Sequence, residues 1–274
     1  MLGAVAVFAV LIAAHVAAQL AHLPRWRGWL PVAGGGAAAL MLGAYACWRR
    51  RTTGAPPADL PLLRLGPHFL AGLLIGAGLQ ALTVLSIALV APAHVTGPNP
   101  PGVMVPILAD ALETGVFEEI IARGMLFAWL EARWGSGRAL ALSALIFGGL
   151  HVVNPGFSPL AAVGLAAAGI LLGAGFMAAR SLWVPIALHA GWNFTEAGLF
   201  GASVSGHDEL VGLFVTRFDG RALLTGGAFG PEASLGGVAV VVLAAGAMVA
   251  LAWRRGQFRP PGRQRRDGTV KSSH

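Results

Sequence analysis

The chain reads as an all-α, polytopic transmembrane bundle of about eight spans with both termini cytoplasmic, and three observations lead there. Of its 274 residues 56% are hydrophobic. Only 11% are charged, whereas a soluble globular domain carries roughly 25%. The charges fall mainly in short breaks between long apolar runs. A soluble fold of this size could not wet its surface with so few charges, so much of that surface must face lipid.

An apolar run of about 20 residues spans the hydrocarbon core as a helix. Such runs lie near residues 1–21, 31–48, 67–91, 103–130, 139–153, 159–179, 182–200 and 235–253. The first has no basic segment ahead of it and is expected to be a retained span, not a cleaved signal. The fourth carries five charged residues, Asp110, Glu113, Glu118, Glu119 and Arg123. The fifth is short. Residues 1–253 form one transmembrane domain on this reading, and 254–274 a disordered basic tail near anionic lipid. The long Gly-rich connection 201–234 is expected to cap the bundle or to turn back into it.

The Lys/Arg residues give the orientation. With the N-terminus inside, the inner connections hold Arg49, Arg50, Arg51, Arg64, Arg133, Arg138 and Arg180, and the tail adds seven more. The outer connections hold only Arg25, Arg27, Arg217 and Arg221. The same distribution explains the net charge of +7 as membrane anchoring, so nucleic acid is excluded as a partner. The lone cysteine, Cys47, rules out an intramolecular disulfide and a Cys-based metal cluster and is expected to be an inert buried thiol. No phosphate-binding loop is present, and no organic cofactor is expected. The Ala-, Gly- and Arg-rich composition suggests a GC-rich bacterial genome, hence a bacterial inner (plasma) membrane.

Charged residues inside a bilayer cost roughly 2.5–3.5 kcal/mol each and by default mark function. Glu118 and Glu119 are adjacent and point about 100° apart on a helix. Glu119 and Arg123 stand four apart with the acid first, the favoured order for a helical ion pair. That pairing leaves Glu118 as the freer carboxylate, suited to general base or acid chemistry. The next run carries His151 after Phe147-Gly148-Gly149, whose small pair lets a neighbouring helix approach. The seventh carries His189 and Asn193, four apart and on one face. At about 1.5 Å per residue, His189 lies about 10 Å from the cytoplasmic end of its span, and Asn193, Glu118 and His151 about 17–20 Å from theirs. One cavity can hold all four.

A carboxylate and an imidazole can share and deprotonate a water. A second imidazole and an amide can stabilise the resulting oxyanion. Alternatively Glu118, His151 and His189 can bind a divalent metal ion such as zinc. No His-Glu-x-x-His helix and no Gly-x-Ser-x-Gly elbow is present.

Glu118-Glu119-x-x-x-Arg123, Phe147-x-x-x-His151 and His189-x-x-x-Asn193, in this order on separate runs, resemble the three-motif signature of the CPBP family. That family comprises type II CAAX prenyl endopeptidases and bacteriocin-processing enzymes. Ser181-Leu182-Trp183-x-Pro185 and Asn193-Phe194 look like the family as well. The similarity covers roughly residues 103–200, the expected peptidase core. It implies an eight-helix intramembrane endopeptidase, glutamate-dependent or metallo-, acting on a membrane-associated peptide or protein. By this resemblance Glu118 and His151 activate water, His189 and Asn193 stabilise the oxyanion, and Glu119 and Arg123 fill the remaining first-motif positions, Glu119 as a further catalytic residue and Arg123 in support.

Two other functions compete. A non-catalytic scaffold or bacteriocin-immunity protein would not need the motif residues. An ion-coupled transporter would show repeat symmetry or paired broken helices, and the sequence shows neither. Asp110 and Glu113 are expected at the cavity mouth or as a cap of the fourth helix, and Glu196 is a weaker candidate for the site. His15, His22, His68, His94, His207 and His274 are expected in loop, interface or core positions. The Trp residues at 26, 29, 48, 134, 183 and 253 are expected in an interfacial belt.

Overall fold

The structure is a computed structural model and describes residues 2–208 and 210–262. Its main elements are α1 (Leu2–Leu20), α2 (Leu30–Thr53), α3 (Leu65–Ala88), α4 (Met104–Glu119), α5 (Ala128–Leu150), α6 (Pro159–Ala179), α7 (Trp183–Asn193), the single turn α8 (Ala222–Thr225) and α9 (Leu235–Arg254). Two four-residue strands, β1 (Ala93–Thr96) and β2 (Val215–Phe218), pair antiparallel with Ala93 opposite Phe218 and Thr96 opposite Val215. The all-helical expectation holds. Five segments are long and apolar enough to cross a membrane: Gly3–Leu20, Arg25–Thr53, Leu62–Ala88, Pro159–Ala179 and Leu235–Arg254.

The remaining three apolar runs are helical but interrupted. α4 passes directly into a π-helical stretch, Ile120–Phe127, and then into α5. The chain breaks at Gly135, with φ 77° and ψ 167°, so α5 holds the end of the fourth run and the fifth as far as Leu150. α7 likewise passes into a π-helical stretch, Phe194–Leu199. α6 and α9 begin on serines: Ser158 Oγ accepts from Ala161 N, and Ser234 Oγ accepts from Gly237 N, so each satisfies a helix-start amide.

Large apolar side chains such as Leu74 and Leu243 are 62% and 74% exposed on the outside of the bundle, where lipid would cover them. Between helices the contacts rely on small residues, because lipid is as apolar as leucine and gives no hydrophobic drive for helix association. α3 and α7 are the clearest case. A Cβ on Gly72 would stand 2.4 Å from Val184 O, one on Gly76 2.0 Å from Leu188 O, and one on Gly191 2.6 Å from Leu73 O. Gly148 packs against Leu165 and Ala166 of α6, while Gly149 faces open space, so only one of the expected small pair makes the approach.

The connections sort to two ends. At one end Asp59 accepts from Tyr45 Oη at 2.6 Å, and Leu182 N donates to Asp59 O. There Arg180 reaches Glu131 and Gln257, and Arg255 donates to Ala178 O. At the other end lie the β1–β2 pair, the turn after α5 and the connection from 200 to 234. Asn154 Nδ2 donates to Ser205 O at 2.9 Å, so the long connection caps the bundle, as one of the two expectations had it. Of the tail expected to be disordered from Arg254, residues 254–262 are described. Arg259 N donates to Ser136 Oγ and Ser136 N to Arg259 O, and residues 263–274 lie outside the described residues.

Two expectations are corrected. Cys47 is exposed on the outer face of α2, not buried, because apolar helix surface in this chain points outward as often as inward. Trp26, Trp29, Trp134 and Trp253 are exposed, as a belt requires, but Trp183 is buried in the core at the start of α7.

Candidate active site

The site begins with two neighbouring carboxylates that the end of α4 sends in different directions. Glu119 is fully buried and accepts a 2.8 Å hydrogen bond from Arg123 Nη1. Arg123, 1% exposed, also donates through Nη2 to Gly169 O at 3.0 Å. Its guanidinium lies 4.7 Å from the Phe147 ring centroid, a cation–π contact. A third helix joins this clamp, because His189 Nδ1 stands 3.1 Å from the same Glu119 oxygen. Glu119 engages both Arg123 and His189 through Oε1, while its Oε2 has no hydrogen-bond partner. Its place is to fix the His189 ring and bind α4, α6 and α7 together.

Glu118 faces the other way. Its Oε2 has no hydrogen-bond partner and stands 4.0 Å from His151 Nε2. That distance is too long for a direct hydrogen bond, and one water can bridge it. The far side of the His151 ring fixes its tautomer. Nδ1 lies 2.8 Å from Phe147 O, and a carbonyl only accepts, so Nδ1 carries the proton. A neutral His151 therefore turns a lone pair on Nε2 toward Glu118.

Both groups border a cavity of about 790 Å³. Glu118, His151, His189 and Asn193 all line it, so the four residues expected in one cavity are brought together. His189 and Asn193 share the cavity face of α7, as their spacing predicted. Two mixed pairs form the wall toward α1: His22 Nε2 is 2.8 Å from Asp110 Oδ1, and His15 Nδ1 is 3.1 Å from Glu113 Oε1. His15 also stacks on Phe117, with ring centroids 3.9 Å apart. Asp110 thus lines the cavity, whereas Glu113 is fully buried; neither caps α4, whose start has no side-chain cap.

Glu196 is buried beside α7, and its Oε2 accepts from Trp192 Nε1 at 3.1 Å; it does not line the cavity. Glu232, Ser205 and Asn154 do border the site, and the sequence reading did not single them out. All three lie in connections, where no helical period marks a face.

Glu118, His151 and His189 do not fit a three-donor metal centre as placed. Among the described residues no group of three or more His, Cys, Asp or Glu side chains is arranged to hold an ion.

The motif residues sit in a segment with a recognisable relationship. Residues 100–195 match the family model of the type II CAAX prenyl endopeptidase Rce1-like proteins. No curated protein and no solved structure matches the chain. The matched stretch starts just before α4 and ends two residues beyond Asn193, so it contains every position of the three motifs. With its apolar helices, the chain is an integral membrane protein whose residues 100–195 are similar to the Rce1-like proteins.

Proposed function

We propose that this chain is an intramembrane endopeptidase that cleaves a membrane-associated peptide or protein. Glu118 and His151 hold one water between Oε2 and Nε2. His151 takes a proton from that water as its oxygen attacks the scissile carbonyl carbon, while Glu118 orients it and can receive the proton in turn. His189, protonated on Nε2, and the Asn193 amide then donate to the oxyanion. Collapse of the tetrahedral intermediate breaks the C–N bond, and the proton held by the Glu118–His151 pair passes to the leaving amine. Glu119 and Arg123 hold His189 in place.

The observation that carries this reading is the unpartnered Glu118 Oε2 facing a lone pair of His151 at 4.0 Å, within the family-matched segment. The two ends of the bundle support eight spans with both termini cytoplasmic: the Arg-bearing connections expected inside gather at one end and the long capping connection at the other. The composition supports a bacterial inner membrane. A zinc-dependent form using Glu118, His151 and His189 gains no support from their placement.

Purified wild type, Glu118→Gln and His151→Ala in liposomes, compared with membrane proteomics of cells carrying each form, test the reading. New C-termini should arise with the wild type alone. Cleavage by purified Glu118→Gln at the wild-type rate would overturn it and favour a non-catalytic role.

A further inference from the structure

A small chamber beside the cavity, sharing His151, His189, Asn193 and Ser205 with it, holds a carboxylate that the proposed mechanism leaves unused. Glu232 lies in the turn Pro231–Ala233 just before α9, outside the family-matched segment. Its Oε1 accepts two hydrogen bonds from Ser205, one from the backbone N and one from Oγ, each 2.7 Å. Ser205 adopts φ +49°, a left-handed conformation that costs a non-glycine residue energy and persists where surroundings enforce it. Those surroundings are Glu232 on one side and Asn154 on the other, whose amide holds Ser205 O. Asn154 N in turn donates to His151 O.

The placement of Glu232 points inward. It lines a chamber of about 60 Å³ together with Ser205, His151, His189 and Asn193. The rest of this chamber is mostly apolar, including Leu165, Leu172 and Phe229. In so apolar a space a carboxylate acts on nearby charge with little screening. Burial pushes the Glu232 carboxyl up, and the Ser205 hydrogen bonds together with the facing His151 and His189 hold it down. The electrostatic link runs to both imidazoles of the site.

We propose that Glu232 is a positioning residue of the active cavity, whose carboxylate faces His151 and His189 and stabilises the imidazolium formed during turnover, while Ser205 fixes its orientation. This rests on the peptidase reading above. It also assigns the 201–234 connection a part in the chemistry beyond that of a cover.

Two variants separate charge from tether. Glu232→Gln keeps an acceptor oxygen for Ser205 but removes the charge. Glu232→Asp keeps the charge but shortens its reach to Ser205. An interaction made only in the transition state lowers kcat and kcat/KM together, so Glu232→Gln should lower both about 10-fold with KM unchanged. Glu232→Asp should keep kcat within about threefold of wild type. Thermal unfolding in detergent identifies any variant that fails to fold, and either variant alone still reports on the charge. Wild-type kcat in Glu232→Gln, or a kcat in Glu232→Asp as low as in the glutamine variant, would overturn the assignment. Glu118→Gln run alongside keeps the two ideas apart. If it retains activity, the peptidase mechanism fails; if it is dead while Glu232→Gln is normal, only the role of Glu232 fails.

Discussion

Two carboxylates at opposite ends of the bundle face opposite circumstances. At the arginine-bearing end, Glu131 is 6% exposed and fully engaged: Ser136 Oγ donates at 2.5 Å, Arg180 at 2.7 Å and Arg259 approaches at 3.4 Å. At the cavity end, Glu118 Oε2 has no partner. A buried carboxylate with all its acceptor sites filled serves geometry; here it ties α5, the α6–α7 turn and the segment after α9 together. A carboxylate left unfilled beside an imidazole lone pair is costly to keep in a membrane protein, and on the proposed mechanism it holds the attacking water. Glu119 lies between the extremes. It is adjacent to Glu118 in sequence; Arg123 and His189 fill its Oε1 as cations and donors fill Glu131, while its Oε2 stays without a partner like that of Glu118. Neither charge nor an unfilled oxygen alone singles out Glu118, since Glu119 Oε2 and Glu196 Oε1 are unfilled too; what sets it apart is His151 Nε2 facing it across the cavity wall.

The contrast breaks most sharply by exchanging effects between the two ends. Glu118→Gln should lower the cleavage rate by about 10²–10⁴-fold, the range for a lost general base, with no loss of thermal stability in detergent. Glu131→Gln should do the reverse, lowering the unfolding temperature while leaving turnover per folded molecule near wild type. Equal activity losses in the two variants would remove the distinction. Arg123→Ala belongs with Glu131 on this scale. It leaves Glu119 buried without its cation, which costs about 3–5 kcal/mol, so its deficit should appear first in folded yield and unfolding temperature.

Much of this arrangement was legible in the sequence, and the reasons are local. The Glu119–Arg123 spacing of four and the His189–Asn193 spacing of four each specify a shared face, and both are found. Membrane placement followed from missing charge. Other features depend on contacts that sequence spacing does not encode. The π-helical stretches after Glu119 and Asn193 carry no proline to announce them, and the first of them holds Arg123 of the first motif. Gly72 and Gly76 look like two of 39 glycines, until the Val184 and Leu188 carbonyls are found against them. Glu232 and Ser205 are 27 residues apart in an irregular connection, with no periodicity to join them. Cys47 was misplaced because an apolar environment around a residue in sequence is as consistent with lipid as with a protein core.

Asn193 sharpens the cavity half of the comparison with a smaller effect. It lines the cavity beside His189, and the removal of one oxyanion donor costs about 10²–10³-fold in kcat. Asn193→Ala should show such a loss in kcat with KM nearly unchanged; a pure KM effect would reassign the amide to substrate binding.

The smallest effect expected is that of a chelator. If Glu118 and His151 hold a water directly, EDTA treatment followed by dialysis should change the cleavage rate by less than about twofold, because no bound ion is needed to lower the water's pKa. The reason lies in the donor set: among the described residues no three His, Cys, Asp or Glu side chains are arranged to hold an ion. An activity lost to EDTA and restored by zinc alone would mean that Glu118, His151 and His189 converge in the working enzyme. Glu118 would then resemble Glu131 after all, as a carboxylate whose acceptor sites are filled, by a metal ion in place of arginines.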